Sequence, residues 1–345
     1  MMLRVITCFA LFCLSAPTSA NDLRLITLGA GEVAGSYFAS ARAICESVNR
    51  AQRGGRLRCS PDPTAGSVYN LRALREGQLD FALIQSDWQR RAYEGSGYFA
   101  AAGPMKDLRS VAGLYPEAIT ILVRKDAEIV ELADLKGKRI DIGHPASGRR
   151  ATNDRFFQAL NLSATDFAMV AELTVGGAIQ EICAGRIDAT VLVVGHPNAT
   201  IAKALTRCGA TLIPARGPQF DDVVSRDADY SPVSISSTSY PNLDAHVPTF
   251  AVIATLVTRS STEEVIVRAV VKAILGQLPQ LAQMAPVLGS LSVHDLSSRG
   301  LTAPLHPGAK SAFDTVLMSP SPSSTGNAAR SQASPGSDTQ AGNAK

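Results

Sequence analysis

Residues 139–150 read RIDIGHPASGRR. A short apolar run, Ile140 and Ile142, stops at Gly143. A proline-containing loop follows, and Ser147 and Gly148 then open a polar helix that continues through Phe156, Phe157 and Leu160. The pattern is a strand, a tight loop and a helix start. In open α/β sheets such turns lie beyond the carboxyl ends of the strands, where free N–H groups and the positive end of the helix favour anions. Arg149 and Arg150 add cations to this turn, and a guanidinium grips a carboxylate through two parallel hydrogen bonds. Taken alone, the same residues read more simply as an ordinary helix cap with two solvated arginines. Repetition decides between the two, because the chain carries this arrangement several times.

Upstream, residues 23–28 (LRLITL) alternate as a strand, and GAGEVAGSYF leads into a helix with Phe38, Ala41, Cys45 and Val48 at helical spacing. Gly29, Gly31 and Gly35 depart from the GxGxxG spacing, which argues against a dinucleotide site. A second unit runs from the strand LRCS through PDPTAGS into the helix SVYNLRALREG, with Thr64, Gly66 and Ser67 at its start and Val68, Leu71 and Leu74 as its buried stripe. A third is the strand LDFALIQ, then Ser86 and Asp87 as cap candidates and the helix WQRRAYEG. The segment LRSVAGLYPEAITILVRKD predicts two strands that leave this first half.

Downstream come AELTV, the helix GGAIQEICAG and the strand IDATVLVV, which ends at Gly195, His196, Pro197 and Asn198 before another helix. Two segments echo each other. Helix, Gly77-x-Leu-Asp80, strand and polar turn match helix, Gly185-x-Ile-Asp188, strand and polar turn. Two lobes built alike place their strand ends face to face across a cleft. VPTFAVIATLVTRS then predicts a long strand crossing back to the first lobe, and STEEVIVRAVVKAILGQL an amphipathic helix with a Ser/Thr-x-x-Glu start.

At 345 residues and 46% apolar content the chain can bury a substantial core, and a net charge of +3 is too weak to imply nucleic acid. Arg4, the apolar run VITCFALFCL and the small residues ending at Ala20 predict a cleaved secretory signal over residues 1–20, a mature start at Asn21 and a periplasmic location. Of the cysteines outside that signal, Cys45 with Cys59 and Cys183 with Cys208 is the most economical pairing for an exported protein, each tying a helix to the following strand; free buried thiols are the alternative. From about Ser319 the composition turns to Ser, Pro, Gly, Ala and Gln, and predicts a disordered tail over residues 319–345. His144, His246, His294 and His306 show neither metal nor triad spacing, Trp88 reads as packing, and no GxSxG elbow is present, so an enzyme is disfavoured and no cofactor is expected.

The motifs LGAGEVAGSYF, TAGSVYNLRAL, GQLDFALIQSDWQ, DLKGKRIDIGHPASGRRAT, GRIDATVLVVGHPN, VPTFAV and LTAPLHPGA, in that order, resemble the TAXI receptors, the solute-binding subunits of one branch of TRAP transporters. The resemblance implies an α/β, two-lobed periplasmic binding protein fold (type II-like) with a central ligand cleft and hinge strands. It implies a monomeric receptor that captures a small organic acid or amino acid and delivers it to membrane TRAP permease subunits. A binding protein that feeds a sensor is the alternative. The division expected is residues 21–118 with 247–318 as lobe 1 and residues 119–246 as lobe 2. By position the family's pocket maps onto Ser36, Tyr37, Thr64, Gly66, Ser67, Gln85, Ser86, Ser147, Gly148, Arg149, Arg150, Gly195 and His196. Arg150 takes the more regular basic position. Departures are Ala65 in place of a second glycine, His144 in place of Asn, and a glycine-free segment before Tyr240. A dicarboxylate or an acidic amino acid such as glutamate fits better than a sugar, since these turns, apart from Tyr37, offer no aromatic platform.

Overall fold

The computed structural model describes residues 23–318; the expected signal peptide and C-terminal tail lie outside the described residues. The chain opens with three strand–turn–helix units: β1 (Arg24–Gly29) and α1 (Ser36–Ala51), β2 (Leu57–Asp62) and α2 (Ser67–Arg75), β3 (Phe81–Gln85) and α3 (Ser86–Glu94). The long strand β4 (Leu108–Arg124) leads to a second set: β5 (Arg139–Asp141) and α4 (Gly148–Ala159), β6 (Met169–Ala171) and α5 (Val175–Cys183), β7 (Ala189–Val194) and α6 (Ala199–Arg207). Then follow β8 (Ala210–Ile213), α7 (Pro218–Ser225), β9 (Ser231–Ile235), the second long strand β10 (Val247–Arg259), and α8 (Glu264–Leu275), α9 (Leu278–Met284), α10 (Val293–Ser298) and α11 (Pro307–Leu317).

The sheet runs β2-β1-β3-β10-β4-β7-β5-β6, with β8 added to β4 and β9 to β10. β1 lies parallel to β2 and β3, and β5 lies parallel to β6 and β7. Helical crossovers of this kind are what parallel neighbours require. Between the two parallel sets run β4 and β10, antiparallel to each other, with β10 antiparallel to β3 and β4 antiparallel to β7. β4 pairs with β10 up to Ala118 and with β7 and β8 beyond it. β10 pairs with β9 up to Ala251 and with β3 from Ala254. Each long strand therefore belongs to both halves. The buried apolar side chains divide accordingly, with clusters drawn from residues 26–115 and 254–313 on one side and from 118–250 on the other.

The segment expected to form two strands is one. Pro116 lies inside β4, where its missing N–H would break a ladder. The partner strand shifts register between Ile253 and Thr255, and the Ile253 N–H donates to Ser86 Oγ at 3.1 Å. A bulge thus accommodates the proline without ending the strand. The capping box expected at α8 does not form; its N-cap is Glu263, with no side-chain bond.

The echo between the halves is structural. Asn70 of α2 donates to the Ala30 and Leu83 carbonyls, both at 2.8 Å, and Asn153 of α4 donates to the Ile142 and Val191 carbonyls at 3.0 and 2.8 Å. Each buried amide clamps two neighbouring strands beneath a helix start. Asp80 accepts the Thr27 N–H at 2.8 Å and Asp188 the Arg139 N–H at 2.9 Å, fixing the entry of β3 and β7. Both expected disulfides are present. Cys45–Cys59 ties α1 to β2, as read from the sequence, whereas Cys183–Cys208 joins the end of α5 to the C-cap of α6 rather than to a strand.

Candidate functional site

A cavity of about 60 Å³ lies between the two halves, at the N-terminal ends of α1, α2, α4 and α5. The N-caps of α1 and α2 are Gly35 and Gly66, which offer no side chain to the first-turn N–H groups. The cap of α4 is Ser147, whose Oγ accepts the Arg150 N–H at 3.1 Å. First-turn N–H groups of a helix have no intrahelical partner, and together with the helix dipoles they make the cavity wall electropositive. Gly66 has φ 104°, a conformation that favours glycine. At Gly148 a β-carbon would stand 2.1 Å from Gln85 Oε1 and 2.7 Å from Ser67 Oγ, so glycine is what lets α4 approach α2 and β3.

Arg149 is buried and lines the cavity. Its Nη1 donates to Asp141 Oδ2 at 3.1 Å and its Nη2 to the Leu173 carbonyl, while Nε is buried with no protein partner. Asp141 is held in turn by Thr190 Oγ1 at 2.7 Å and by the Leu173 N–H at 2.8 Å. Arg150, the arginine favoured by the resemblance, faces away. Its Nε donates to Asp154 at 2.9 Å and its Nη1 to Glu172 on the outer surface. Successive helical residues point about 100° apart, so the two neighbours cannot both face the cavity.

Ser36, Tyr37, Gly66, Ser67, Gln85, Ser147 and Gly148 also line the cavity. The remaining expected residues are engaged elsewhere. Thr64 Oγ1 donates to Asn70 Oδ1 at 2.7 Å, Ser86 serves the β10 bulge, and the Gly195 carbonyl accepts Ser36 Oγ at 3.1 Å. The His196 ring is held by Tyr240 Oη at Nδ1, 2.6 Å, and by Thr120 Oγ1 at Nε2, 2.9 Å. Burial pulls its pKa down to about 4, so the ring is neutral.

Two acids of the lining were not singled out from the sequence. Glu32 accepts the Val175 N–H at the start of α5, and burial raises its pKa above the usual carboxylate value. Glu117, on β4 at the crossing between halves, is buried and accepts Tyr37 Oη at 2.6 Å. Burial pushes its pKa up to about 8, against the lowering effect of that hydrogen bond. A charged residue in the middle of an apolar strand was the available signal.

The halves are bridged around the cavity. Gln85 Nε2 donates to Thr152 Oγ1 at 3.2 Å, Trp88 Nε1 to the Gly148 carbonyl at 3.2 Å, Asn198 Nδ2 to Ser36 Oγ at 3.3 Å and Thr200 Oγ1 to the Ala34 carbonyl at 3.1 Å. Farther out, Arg90 and Arg91 of α3 pair with Asp227, Arg90 also with Asp229, and Arg155 of α4 with Asp227. Among the described residues no cluster of His, Cys, Asp and Glu could hold a metal ion, and no single helix is long and apolar enough to cross a membrane.

Two parallel-stranded lobes, two strands crossing between them and a cavity at the facing helix starts define the two-lobed periplasmic binding protein fold. Among solved structures it is similar to MatC from Rhodopseudomonas palustris with bound malate, at 17% identity over 77% of this chain and 89% of that one, TM-score 0.53. It is similar to PhnD1 from Prochlorococcus marinus (MIT 9301) in complex with methylphosphonate, at 12% identity over 78% and 91%, TM-score 0.51. A protein from Bordetella bronchiseptica RB50 matches at 16% identity over 86% and 99%, TM-score 0.53. Identities this low speak for the fold alone. The chain belongs to the NMT1-like family, whose model matches residues 28–314.

Proposed function

We propose that this protein is an extracytoplasmic solute-binding receptor that closes on a small organic anion, a carboxylate or an amino acid, and delivers it to a membrane permease. The observation that carries this reading is the convergence of four helix N-termini and the buried Arg149 on one cavity between the lobes. Desolvated N–H groups and a buried guanidinium favour an anion over a neutral sugar. Malate and methylphosphonate, bound by two proteins of this fold, are small acids of that class. A cavity of about 60 Å³ corresponds to roughly two waters at about 30 Å³ each, so only the shortest carboxylate matches it as the lobes stand, and a glutamate-sized solute needs them farther apart.

The lobes are taken as residues 21–118 with 247–318, and residues 119–246, hinged where β4 and β10 pass between the two sets of core clusters. Residues of the site are Ser36, Tyr37, Gly66, Ser67, Gln85, Ser147, Gly148 and Arg149. The permease is taken to be of the TRAP type on the strength of the sequence motifs. Catalysis is disfavoured because the site's hydroxyl and amide groups are spent on hydrogen bonds within and between the lobes. A thermal-shift screen of organic acids, amino acids and sugars tests the reading: stabilisation by acids supports it, and stabilisation by a neutral sugar with none by any acid sinks it.

A further inference from the structure

The sheet crossing carries a buried carboxyl group with a single side-chain partner. Glu117 is 4% exposed, lies on the hinge strand β4 and lines the cavity, and its one hydrogen bond is from Tyr37 Oη to its Oε2 at 2.6 Å. The groups acting on it from neighbouring elements are Tyr37 of α1 and, at longer range, Asp87 of α3, with no cation among them. On its own strand, Tyr115 bonds with Ser40 of α1. Val252 of β10 lies opposite it in register, and β7 lines the cavity with Val193 and Val194, none of which titrates. Across the cavity stand Arg149, already paired with Asp141, and Glu32, bonded to the α5 N-terminus. An unpaired carboxylate buried in such surroundings is costly, and the group lowers that cost by keeping its proton.

We propose that Glu117 is a ligand-binding residue that stays protonated in the complex and donates that proton as a hydrogen bond to the captured anion, so that solute capture depends on a proton held by the receptor. No bond is made or broken. Tyr37 occupies Oε2, the proton sits on Oε1, and it is shared with an acceptor oxygen of the solute. Burial, which pushes the pKa of this group up to about 8, keeps the proton in place at neutral pH. This proposal rests on the anion-binding reading above and adds a donor that the helix N-termini and Arg149 do not supply.

The test has two arms, both on the full chain. Infrared difference spectroscopy of the solute-free protein between about pH 7 and about pH 9 reads the protonated-carboxyl band directly, with Asp87→Asn removing the contribution of the buried acid whose pKa is raised to about 7. Calorimetry with acetate, succinate and L-glutamate as probes then follows affinity over the same range. The expected results are a band that titrates in the wild type and is missing in Glu117→Gln, and an affinity that falls about tenfold per pH unit above the titration point. Glu117→Gln, a neutral donor of similar shape, should lose that slope and bind more tightly at neutral pH than Glu117→Ala, which offers no donor. No titrating band, a wild-type affinity independent of pH, or a loss of more than about thirtyfold in Glu117→Gln at neutral pH overturns the proposal, the last indicating an ionised Glu117 facing an ammonium group. If no probe binds, the proposed function fails for these anions and the ligand-binding role fails with it, while the infrared arm still shows whether Glu117 holds its proton.

Discussion

Tyr37 Oη and Glu117 Oε2 stand 2.6 Å apart and tie the first turn of α1 to the strand that passes between the lobes. Both groups are buried, and burial raises the pKa of each. The stability of the protein should therefore depend on pH above neutrality. The pKa of Glu117 rises from 4.5 to about 8 on folding and that of Asp87 from 3.8 to about 7. Between those values the folded state holds protons that the unfolded chain has released, so stability falls as pH rises, by up to about 1.4 kcal/mol per pH unit for each proton. His196 acts in the opposite sense, since its pKa drops from 6.5 to about 4, but its contribution is complete by pH 6.5. Melting temperatures measured from pH 6.5 upward should fall until about pH 8 and then level, and Glu117→Gln should flatten the slope.

Arg149 and Arg150 should separate cleanly. Arg149→Lys keeps a charge beside Asp141 but loses the planar fork, and anion affinity should drop by about 2 to 4 kcal/mol, roughly thirtyfold to a thousandfold. Arg149→Met should also destabilise the fold by about 3 to 5 kcal/mol, because Asp141 is left buried beside no cation. Arg150→Ala removes surface pairs with Asp154 and Glu172 and should leave affinity within about threefold. Calorimetry and thermal melts of the three variants check this.

Gly148→Ala should prevent closure without harming the fold. Alanine suits a first helical position, yet its β-carbon would meet Gln85 and Ser67 from the other lobe. The expected result is wild-type melting behaviour, a larger radius of gyration by small-angle scattering and a loss of solute binding.

Arg90 and Asp227 belong to a cluster that bridges α3 of lobe 1 to lobe 2 away from the cavity. Asp227→Asn should favour the open arrangement, weakening solute affinity by about 1 to 2 kcal/mol, roughly fivefold to thirtyfold, chiefly through faster release. Stopped-flow dissociation measures it.

The helix-start turns were legible in the sequence because their chemistry is local: Gly66 and Ser147 mark caps wherever the helices finally dock. The pairing of cysteines was legible for the same reason, with partners close in sequence. The choice between Arg149 and Arg150 was not, since it depends on the rotation of α4 about its axis, which packing against β5 and β7 sets. Glu117 was hidden because the cavity it faces is built by residues far away in the chain, Tyr37 and Arg149 among them. A histidine at a strand end looks available in the sequence, whereas Tyr240 and Thr120, distant in sequence, hold both nitrogens of His196. The segment around Pro116 reads as two strands, whereas the bulge in β10 lets the proline lie inside one.

The most direct measurement is a crystal structure of the protein with the acid that stabilises it most in a thermal-shift screen. The prediction is one solute between the lobes, its acidic group against the first turns of α1, α2 and α4 and within hydrogen-bonding distance of Arg149. An acid bound outside this cavity, or a solute in it that makes no contact with Arg149 or those helix starts, would contradict the assignment of the site.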